Sequence, residues 1–331
     1  RFTLRRRTAI AGEPQGTILQ TTSLHLPMKT LAKHPVSYEL ADALRLDVQR
    51  ANDSAQTPLR LTARSNFGEV AVDMRTGELT TYKFRGRDVL KAPIKLNFWR
   101  LPTDNDLCDQ TVARQWATLS PDQLRRSVSD ITHKQSDSNS VTIDMMVRYS
   151  TTAGQTLMDV RQTMIILATG DIIISSDLML TEAVKSLPRV GLQLAVDKAL
   201  GQIDWMGLDH ESYPDRQGGQ RIGLHKAKCG DVYFKYARPQ EAGSHYATRW
   251  IALHDDNVGL FVDMPDSTFS YSLYPYADRD LAKALSYSQV KETNSWTLNI
   301  DSHQSGIGSA LAGIDIAEQN LLVARKSHFV V

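Results

Sequence analysis

The sequence predicts a mainly β protein built from antiparallel sheets. Many short segments carry apolar residues at every second position, Gly, Asn and Asp turn signals separate these segments, and helical patterns are few. Alternation of apolar and polar residues is typical of strands that bury one face. The length of 331 residues favours large stacked sheets over one small sandwich.

The N-terminal part of the chain, residues 1–57, differs from the rest. It contains three segments that each predict a strand, RFTLRRRTAI, GTILQTTSLHLP and YELADALRLDVQ, and it ends in the polar stretch RANDSAQTP, residues 50–58. Polar stretches with Pro are typical of the segments that connect domains. We therefore place a domain boundary near residue 58, which gives a β-rich segment, 1–57, and a larger domain, 58–331.

The larger domain has six clear strand patterns and two helical ones. The strand patterns are residues 69–74, 141–149, 172–180, 190–196, 259–264 and 296–301. Turn signals such as Thr76-Gly77 and Ala153-Gly154 lie between them. Residues 111–119 and 275–285 predict short helices, the second beginning at a proline suited to the first helical turn.

The charges of the chain nearly cancel. There are 38 Lys and Arg residues against 37 Asp and Glu residues, a formal net charge of +1. We therefore expect no nucleic acid and no membrane surface as partner. Apolar runs such as residues 164–168 are too short to span a bilayer. The chain begins at Arg1 without a Met or a signal-peptide pattern, so we expect a piece of a longer protein.

The sequence lacks the common signatures of metal, nucleotide and nucleophile chemistry. Its two cysteines, Cys108 and Cys229, are too few for a zinc cluster or a disulfide framework. The nine histidines have no metal-ligand spacing, and no P-loop, dinucleotide fingerprint or G-x-S-x-G motif is present. We therefore predict neither a metal site nor a nucleophilic Ser or Cys in this chain.

The stretch NFWRLPTDND, residues 97–106, allows three interpretations of Asp104 and Asp106. A calcium loop would need a Gly and a Glu at later positions, and both are absent. A glycosidase would need two carboxylates that face each other across a sugar. A turn would use Asp and Asn side chains to bond nearby backbone amides after Pro102. Of the three, we favour the turn.

Residues 205–253 concentrate Trp, Tyr, His, Arg and acidic residues in one irregular region. Two candidate sets lie in it, Glu211 with Asp215 and Arg216, and Glu241 with His245 and Arg249. Either set could be catalytic or bind sugar, because sugars present apolar faces and many hydroxyl groups. The alternative is a long ordered loop whose arginines pair with acids to satisfy buried charge.

Five motifs occur in a recognisable order and spacing. They are NFWRLPTDND (97–106), LPRVGLQL (187–194), WMGLDHESYPDRQGG (205–219), YARPQEAGSHYATRW (236–250) and WTLNIDSHQSGIGS (296–309). Together they resemble the C-terminal domain of bacterial β-galactosidases of glycoside hydrolase family 2. That domain also occurs as the separate small subunit of heterodimeric β-galactosidases. The resemblance covers residues 59–331.

The resemblance implies a fold for this chain and a catalytic role for a different domain. The fold is a large antiparallel β-supersandwich similar to galactose mutarotase, preceded by part of an immunoglobulin-like β-sandwich in residues 1–57. A (β/α)8 barrel outside this chain would supply the two Glu residues of a retaining mechanism, so no catalytic residue and no cofactor is expected here. The full enzyme of such a family could use Mg or Na ions. The implied partners are the barrel domain or large subunit, a galactoside sugar and further copies of the chain in a homo-oligomer.

The resemblance also assigns site residues. Two loops near the active site of the full enzyme would contain Asp106, Cys108, Gly306, Ile307 and Gly308. Residues of the structural motifs are Phe98, Trp99, Arg100, Asp104, Asn105, Glu211, Tyr213, Asp215, Arg216 and Glu241. We expect Phe98 and Trp99 to be core anchors, and Asp215 and Arg216 to be paired and partly buried.

The sequence departs from the family pattern in both loops. Cys108 replaces the usual Gly, and the stretch from there to Trp116 is short. After Gly308 the sequence has neither the Asp pair nor the Trp that stacks on sugar in the family. A stacking ring of this kind contributes about 1 kcal/mol or more, and this segment lacks it.

The sequence therefore predicts the structural and active-site-lining C-terminal region of a β-galactosidase, inactive without its catalytic barrel. A carbohydrate-binding module without catalysis is one alternative. A freestanding mutarotase-like sugar epimerase is another, and its acid and base would come from His210, Glu211, Glu241 and His245. We expect a cytoplasmic location, with the periplasm as the alternative.

Overall fold

The computed structural model describes residues 2–5, 18–22, 42–52, 54, 56–108, 111–265, 267–308, 315–323 and 326–331. In chain order the first strands are β1 (Phe2–Arg5), β2 (Ile18–Thr22), β3 (Arg45–Arg50), β4 (Pro58–Arg64), β5 (Gly68–Asp73), β6 (Glu78–Phe84), β7 (Arg87–Asp88), β8 (Leu90–Asn97), β9 (Arg125–Asp137), β10 (Ser140–Ser150) and β11 (Thr156–Leu167). The others are β12 (Ile172–Leu180), β13 (Arg189–Asp197), β14 (Gln202–Leu208), β15 (Ile222–Lys228), β16 (His245–Thr248), β17 (Trp250–His254), β18 (Gly259–Asp263), β19 (Phe269–Tyr274), β20 (Ser295–Gln304) and β21 (Lys326–Val330).

Helices are short and few in this part of the chain. The α-helices are α1 (Asp104–Leu107), α2 (Thr111–Leu119) and α3 (Asp278–Lys283). Three 3₁₀ turns span Cys229–Asp231, Tyr287–Gln289 and Glu318–Asn320. None of the helices in the described ranges is long and apolar enough to cross a membrane.

The strands form five sheets, and their pairs are antiparallel throughout the described residues. The strand orders are β1-β2, β3-β4-β5-β6-β7, β21-β12-β11-β10-β9, β16-β19-β20-β13-β8 and β15-β14-β17-β18. The predicted mainly β, antiparallel fold is confirmed. The six predicted strands correspond to β5, β10, β12, β13, β18 and β20.

One large apolar core connects the four larger sheets. In β10, Val141, Ile143, Met145 and Val147 are buried, and they alternate with more exposed residues, because successive side chains of a strand point to opposite faces. The same core contains Phe98. A smaller cluster is formed by Leu101, Tyr233, Ala242, Tyr274, Tyr276 and Leu281. The two clusters lie on either side of the motif that begins at residue 97.

The predicted helices differ in how well they match the structure. The helix predicted at residues 111–119 is α2, with the same bounds. The helix predicted at 275–285 is only α3, which begins after Ala277, so Pro275 does not start it. The proline lies after the buried end of β19 instead, and Thr293 N donates to its carbonyl (2.8 Å). The prediction of a helix beginning at Pro275 was wrong for this reason.

The N-terminal segment is only partly described. The strands β1 and β2 lie within the first two segments predicted as strands, and β3 lies in the third and extends one residue beyond it. β3 pairs with β4 across the boundary that we placed near residue 58, so residues 45–50 share a sheet with the residues that follow the polar stretch. Residues 6–17 and 23–41 lie outside the described residues. The immunoglobulin-like origin of 1–57 stays a prediction.

The sheet β16-β19-β20-β13-β8 brings the motifs together. β13 lies between β8 and β20 and runs antiparallel to both: Gly191 pairs with Asn97, and Arg189 pairs with Gln304. The end of β8, the start of β13 and the end of β20 therefore lie together at one end of the sheet, where these strands stop. The residues that follow β8 and β20 begin at Phe98 and Ser305, which places two of the predicted loops side by side.

Candidate functional site

A buried ion pair joins the loop after β8 to the loop after β20. Arg100 Nη2 donates to both carboxylate oxygens of Asp106, at 3.1 and 3.2 Å, and the two side chains are 1% and 4% exposed. Arg100 Nη1 donates to the carbonyls of Ser305 (2.9 Å) and Gly306 (3.0 Å). Its guanidinium also lies 5.1 Å from the centre of the Trp116 ring. One arginine thus connects its own loop and the helix that contains Trp116 to the distant loop after β20.

The turn at Asp104–Asp106 is one turn of helix, α1. Thr103 is its N-cap: the Thr103 hydroxyl accepts from Asp106 N (3.1 Å), and the Asp106 carboxylate accepts from Thr103 N (2.8 Å). This reciprocal arrangement is a capping box, which satisfies two backbone donors at the start of a helix. Asp106 is therefore fully engaged by Arg100 and by the cap. The predicted turn takes a helical form, and its acids do not face each other across a cleft.

The backbone at Gly306–Gly308 is held by side chains from two other motifs. Asp215 accepts from the amides of Ile307 (3.1 Å) and Gly308 (2.8 Å). Asn105 Nδ2 donates to the carbonyls of the same two residues, at 3.1 and 3.0 Å. Arg216 also donates to the Gly308 carbonyl. We call Asn105, Asp215 and Gly306–Gly308 the loop clamp.

Gly306 fits beside Asp215 only because it has no side chain. A Cβ atom at this position would lie 2.7–2.8 Å from the carboxylate of Asp215, closer than real Cβ contacts. The carboxylate cannot move away freely, because it is fixed by the two amides of the clamp. A larger residue at position 306 would therefore displace Asp215.

Asp215 and Arg216 differ from the prediction in part. Their side chains are 3.6 Å apart, so they pair, and Asp215 is 10% exposed. Arg216 is 41% exposed, so the expectation that it would be partly buried was wrong. Its guanidinium lies over the clamp from the solvent side. Salt bridges this exposed contribute little to stability.

A second buried charge cluster lies next to the clamp. Arg189 Nη2 donates to Glu241 (2.5 Å), and Arg189 Nη1 is 3.6 Å from Asp301. All three side chains are at most 3% exposed. Burial raises the pKa of Asp301 to about 7, because the loss of solvent outweighs the nearby Arg189. Burial likewise raises the pKa of Glu241, and the nearby Arg189 and Arg100 offset part of this shift.

Glu211 is half-buried and fully engaged. Its carboxylate accepts from the Tyr213 hydroxyl (3.1 Å) and from Gly243 N (3.1 Å), and the Tyr236 hydroxyl donates at 3.4 Å. Burial raises the pKa of Glu211, and these hydrogen bonds offset part of the shift. Glu211 thus ties motif 205–219 to motif 236–250.

Of the two predicted catalytic or sugar-binding sets, the first keeps its Asp215–Arg216 pair, whereas Glu241 and His245 of the second do not pair. Glu241 pairs with Arg189 and not with His245. His245 is buried, stacks on Tyr271 at 4.6 Å, and has its pKa lowered to about 4 by burial. An epimerase needs an acid and a base that reach a sugar, and neither His245 nor Glu241 has exposed surface for this role.

The remaining predicted residues lie around the edge of the cluster. Phe98 is buried in the main core, whereas Trp99 is half-buried against the smaller cluster, so only Phe98 is a core anchor. Asp104 bonds Gln240 (3.0 Å) and lies 3.7 Å from Arg238. Cys108 is exposed and has a free thiol.

A groove of ≈ 250 Å³ opens beside the buried Arg100–Asp106 pair. Its walls are largely apolar and include Trp99, Leu107 and Trp116. The Arg100 Nε atom is buried without a hydrogen-bond partner. A ligand in this groove would contact the Trp99 and Trp116 rings.

Sequence reasoning missed Arg189 and Asp301 as members of the site. Both lie inside quoted motifs, but neither was singled out. A signal did exist: Arg189 is the one charged residue in the stretch LPRVGLQLAV, which predicts a buried strand. A charge in such a strand needs a buried partner, although spacing alone does not identify which one.

The described residues offer no metal site. No group of three or more His, Cys, Asp and Glu side chains within them lies close enough to hold an ion. The carboxylates of the motifs are instead occupied by arginines and backbone amides. The Mg or Na ions of a full enzyme stay a prediction about that enzyme.

Comparison with known families decides the parentage of the chain. Residues 64–331 match the family model described as the beta galactosidase small chain. The chain belongs to the β-galactosidase small-chain family. All five motifs that meet at the site, apart from the last residue of the fifth, are in described parts of this matched region.

Relatives of this family member come as long and as short proteins. It is 26% identical over 317 residues to a β-galactosidase of Actinobacillus pleuropneumoniae, covering 94% of this chain and 29% of that protein. It is 27% identical over 288 residues to the β-galactosidase small subunit of Latilactobacillus sakei, covering 75% of this chain and 88% of the relative. The family member thus spans less than a third of the long β-galactosidase.

Among solved structures, the chain is similar to a galactose 1-epimerase from Lactobacillus acidophilus NCFM. The TM-score is 0.42 and the sequence identity is 10%. The similarity covers 87% of this chain and 97% of the epimerase chain.

Proposed function

We propose that this small-chain family member is the structural and active-site-lining C-terminal region of a β-galactosidase. The observation that carries the proposal is the convergence of three motif segments, 97–106, 205–219 and 296–309, at the loop clamp. Arg100 and Asn105 come from the first of these motifs and Asp215 comes from the second, and each bonds the backbone at residues 305–308. A loop held by this many bonds is suited to present a fixed surface to a substrate or to a neighbouring domain.

Hydrolysis of the galactoside is assigned to a partner. A retaining mechanism needs two carboxylates about 5–5.5 Å apart on either side of the scissile bond. In this chain Asp106, Glu241 and Asp215 are engaged by Arg100, Arg189 and backbone amides. We therefore propose that a (β/α)8 barrel supplies both catalytic Glu residues, and that this chain is inactive alone.

The partner is a catalytic barrel, either in the same polypeptide or in a separate large chain. The two kinds of relative support this proposal, because one is a long β-galactosidase and the other is a small subunit. The role of this chain would be the same in either arrangement.

The residues proposed to lie near the substrate are those of the two loops. Asp106, Cys108 and Gly306–Gly308 lie in the loops at the same end of the sheet. The groove beside Trp99 adjoins these loops. A tryptophan at such a groove can pack against the apolar face of a sugar ring. This groove also supports the second candidate, a carbohydrate-binding module without catalysis.

Activity measurements on the purified chain test the proposal. We expect no hydrolysis of o-nitrophenyl β-D-galactoside by the chain alone, and activity when it is combined with the catalytic chain of the same organism. Hydrolysis by the chain alone would refute the proposal that the catalytic residues lie in a partner. Galactose binding by calorimetry, with no activity gained on combination, would favour the binding module. Faster interconversion of galactose anomers would favour the epimerase.

A further inference from the structure

The groove beside Trp99 is large enough for a small molecule. Its volume is ≈ 250 Å³. An apolar cavity of about 150 Å³ holds a benzene ring, so this groove can hold a substituted aromatic ring or a short alkyl chain. Helix α1 contributes Leu107 to its walls, and helix α2 contributes Trp116 and Ala117.

The walls of the groove offer few hydrogen-bonding groups. Eight of its twelve described lining residues have apolar side chains. Arg100 and Asp106 also line it, but their side chains are only 1% and 4% exposed and bond each other. The Trp116 indole N–H is occupied as well, because it donates to Ser186 Oγ (3.0 Å). A ligand in the groove would therefore meet apolar side chains and aromatic rings.

The polarity of the groove favours one class of ligand. The other two polar lining residues, Arg114 and Asp122, are exposed, so water competes for any hydrogen bond they could make to a ligand. A galactosyl ring carries several hydroxyl groups, and burying a hydroxyl group without a partner costs free energy. Removing apolar surface from water is favourable. The groove therefore suits an apolar group better than a galactosyl ring.

The groove lies next to the loops that we propose to line the active site. Leu107 belongs to the first of these loops. Arg100, which also lines the groove, donates to the carbonyls of Ser305 and Gly306 in the second loop. A galactoside consists of the galactosyl ring and the aglycone, which is the group that hydrolysis releases. The groove is thus placed to receive one part of a galactoside.

We infer that the groove binds the apolar aglycone of a β-galactoside, either an aromatic ring or an alkyl chain. This inference rests on the proposed function and adds to it the class of substrate. The galactosyl ring is held by the partner that supplies the catalytic residues. The assembled enzyme favours aryl and alkyl galactosides over lactose, because the aglycone of lactose is a glucose unit with several hydroxyl groups.

Two groove variants and two matched controls test the inference. Leu107→Asn places an amide on the groove wall. Leu224→Asn is its control, because Leu224 is similarly exposed (57% against 52%) but lies in β15. Ala117→Phe fills the groove from α2, and Thr118→Phe is its control, because Thr118 lies in the same helix but does not line the groove. Thermal unfolding of each chain alone checks folding.

Binding and turnover are measured separately. Each chain alone is titrated with benzyl alcohol and with galactose in ligand-observed NMR. Each chain is then combined with the catalytic chain of the same organism, and kcat/KM is measured for benzyl β-D-galactoside and for lactose. The ratio of the two kcat/KM values cancels any change in assembly, since both substrates use the same complex.

We expect the wild-type chain to bind benzyl alcohol and not galactose. Leu107→Asn and Ala117→Phe should weaken this binding and lower the ratio of kcat/KM for the benzyl galactoside to that for lactose on the order of 10-fold, whereas both controls should match wild type.

Three outcomes would contradict these expectations in distinguishable ways. An active complex whose ratio is unchanged in both groove variants would overturn the inference and leave the proposed function intact. Binding of galactose that benzyl alcohol displaces would assign the groove to a sugar ring and also overturn the inference. Benzyl alcohol binding that the groove variants weaken, with no activity in any complex, would overturn the proposed function and with it the assignment to an aglycone.

Discussion

Replacing Arg189 with Met removes the only guanidinium that contacts both Glu241 and Asp301 in the described residues. The three side chains are at most 3% exposed, so water cannot take the place of the lost cation. Removing one partner of a buried ion pair costs about 3–5 kcal/mol, since the remaining charge stays buried without compensation. We expect Arg189→Met to lower the free energy of unfolding by this amount at about pH 8.

The loss should depend on pH with a defined sign. The pKa of Asp301 is raised from 3.8 to about 7 in the folded chain, so the folded state holds a proton that the unfolded state releases. Such a group stabilises the fold at low pH, and this contribution is lost as the pH rises from about 4 to about 7. Without Arg189 the pKa values of both carboxylates rise further. The destabilisation by Arg189→Met should therefore be smaller at about pH 5 than at about pH 8.

Urea unfolding with linear extrapolation, at the two pH values, measures both effects. The triple variant Arg189→Met, Glu241→Gln, Asp301→Asn is the control, because it removes the buried negative charges as well. We expect it to recover part of the lost stability. A loss below about 1 kcal/mol, or an equal loss at both pH values, would refute the reasoning.

Three further predictions concern other parts of the site. Phe98→Ala should cost about 3–5 kcal/mol in urea unfolding, with a smaller loss for Phe98→Leu, and equal losses would contradict its role as a core anchor. Asp215→Ala should cost about 1–3 kcal/mol and speed hydrogen exchange at the Ile307 and Gly308 amides; unchanged exchange would show that the clamp does not hold them. His245→Phe should remove a stability loss that wild type shows as the pH falls from 6.5 to about 4, because the folded chain keeps His245 neutral there; an unchanged pH profile would contradict this.

Much of the fold follows from local pattern in the sequence. Val141, Ile143, Met145 and Val147 alternate with polar residues, and the strand buries those four side chains. The short helix at 111–119 could also be predicted from the sequence, because its local pattern needs no distant partner. The helix predicted at 275–285 is shorter than expected because β19 continues through Tyr274 and Tyr276 packs in the smaller cluster, so the helix begins only at Asp278.

Only part of the candidate site could be predicted from the sequence. The motifs identified which segments matter, but not which side chains meet. Arg189 and Glu241 are 52 positions apart, and Arg100 and Ser305 are 205 apart, so no spacing rule connects them. The order of strands β8, β13 and β20 in one sheet brings them together. That order depends on long-range pairing, which single-sequence patterns do not specify.

The glycine at position 306 has a consequence for how this family is recognised. A methyl group there would collide with the Asp215 carboxylate, whatever sugar the enzyme acts on. The requirement is one of space inside the protein, so selection for a new substrate would leave it untouched. A chain can therefore change or lose its ligand and still keep Gly306 together with Asp215. The presence of Gly306 together with Asp215 therefore indicates family membership and does not indicate which ligand is bound.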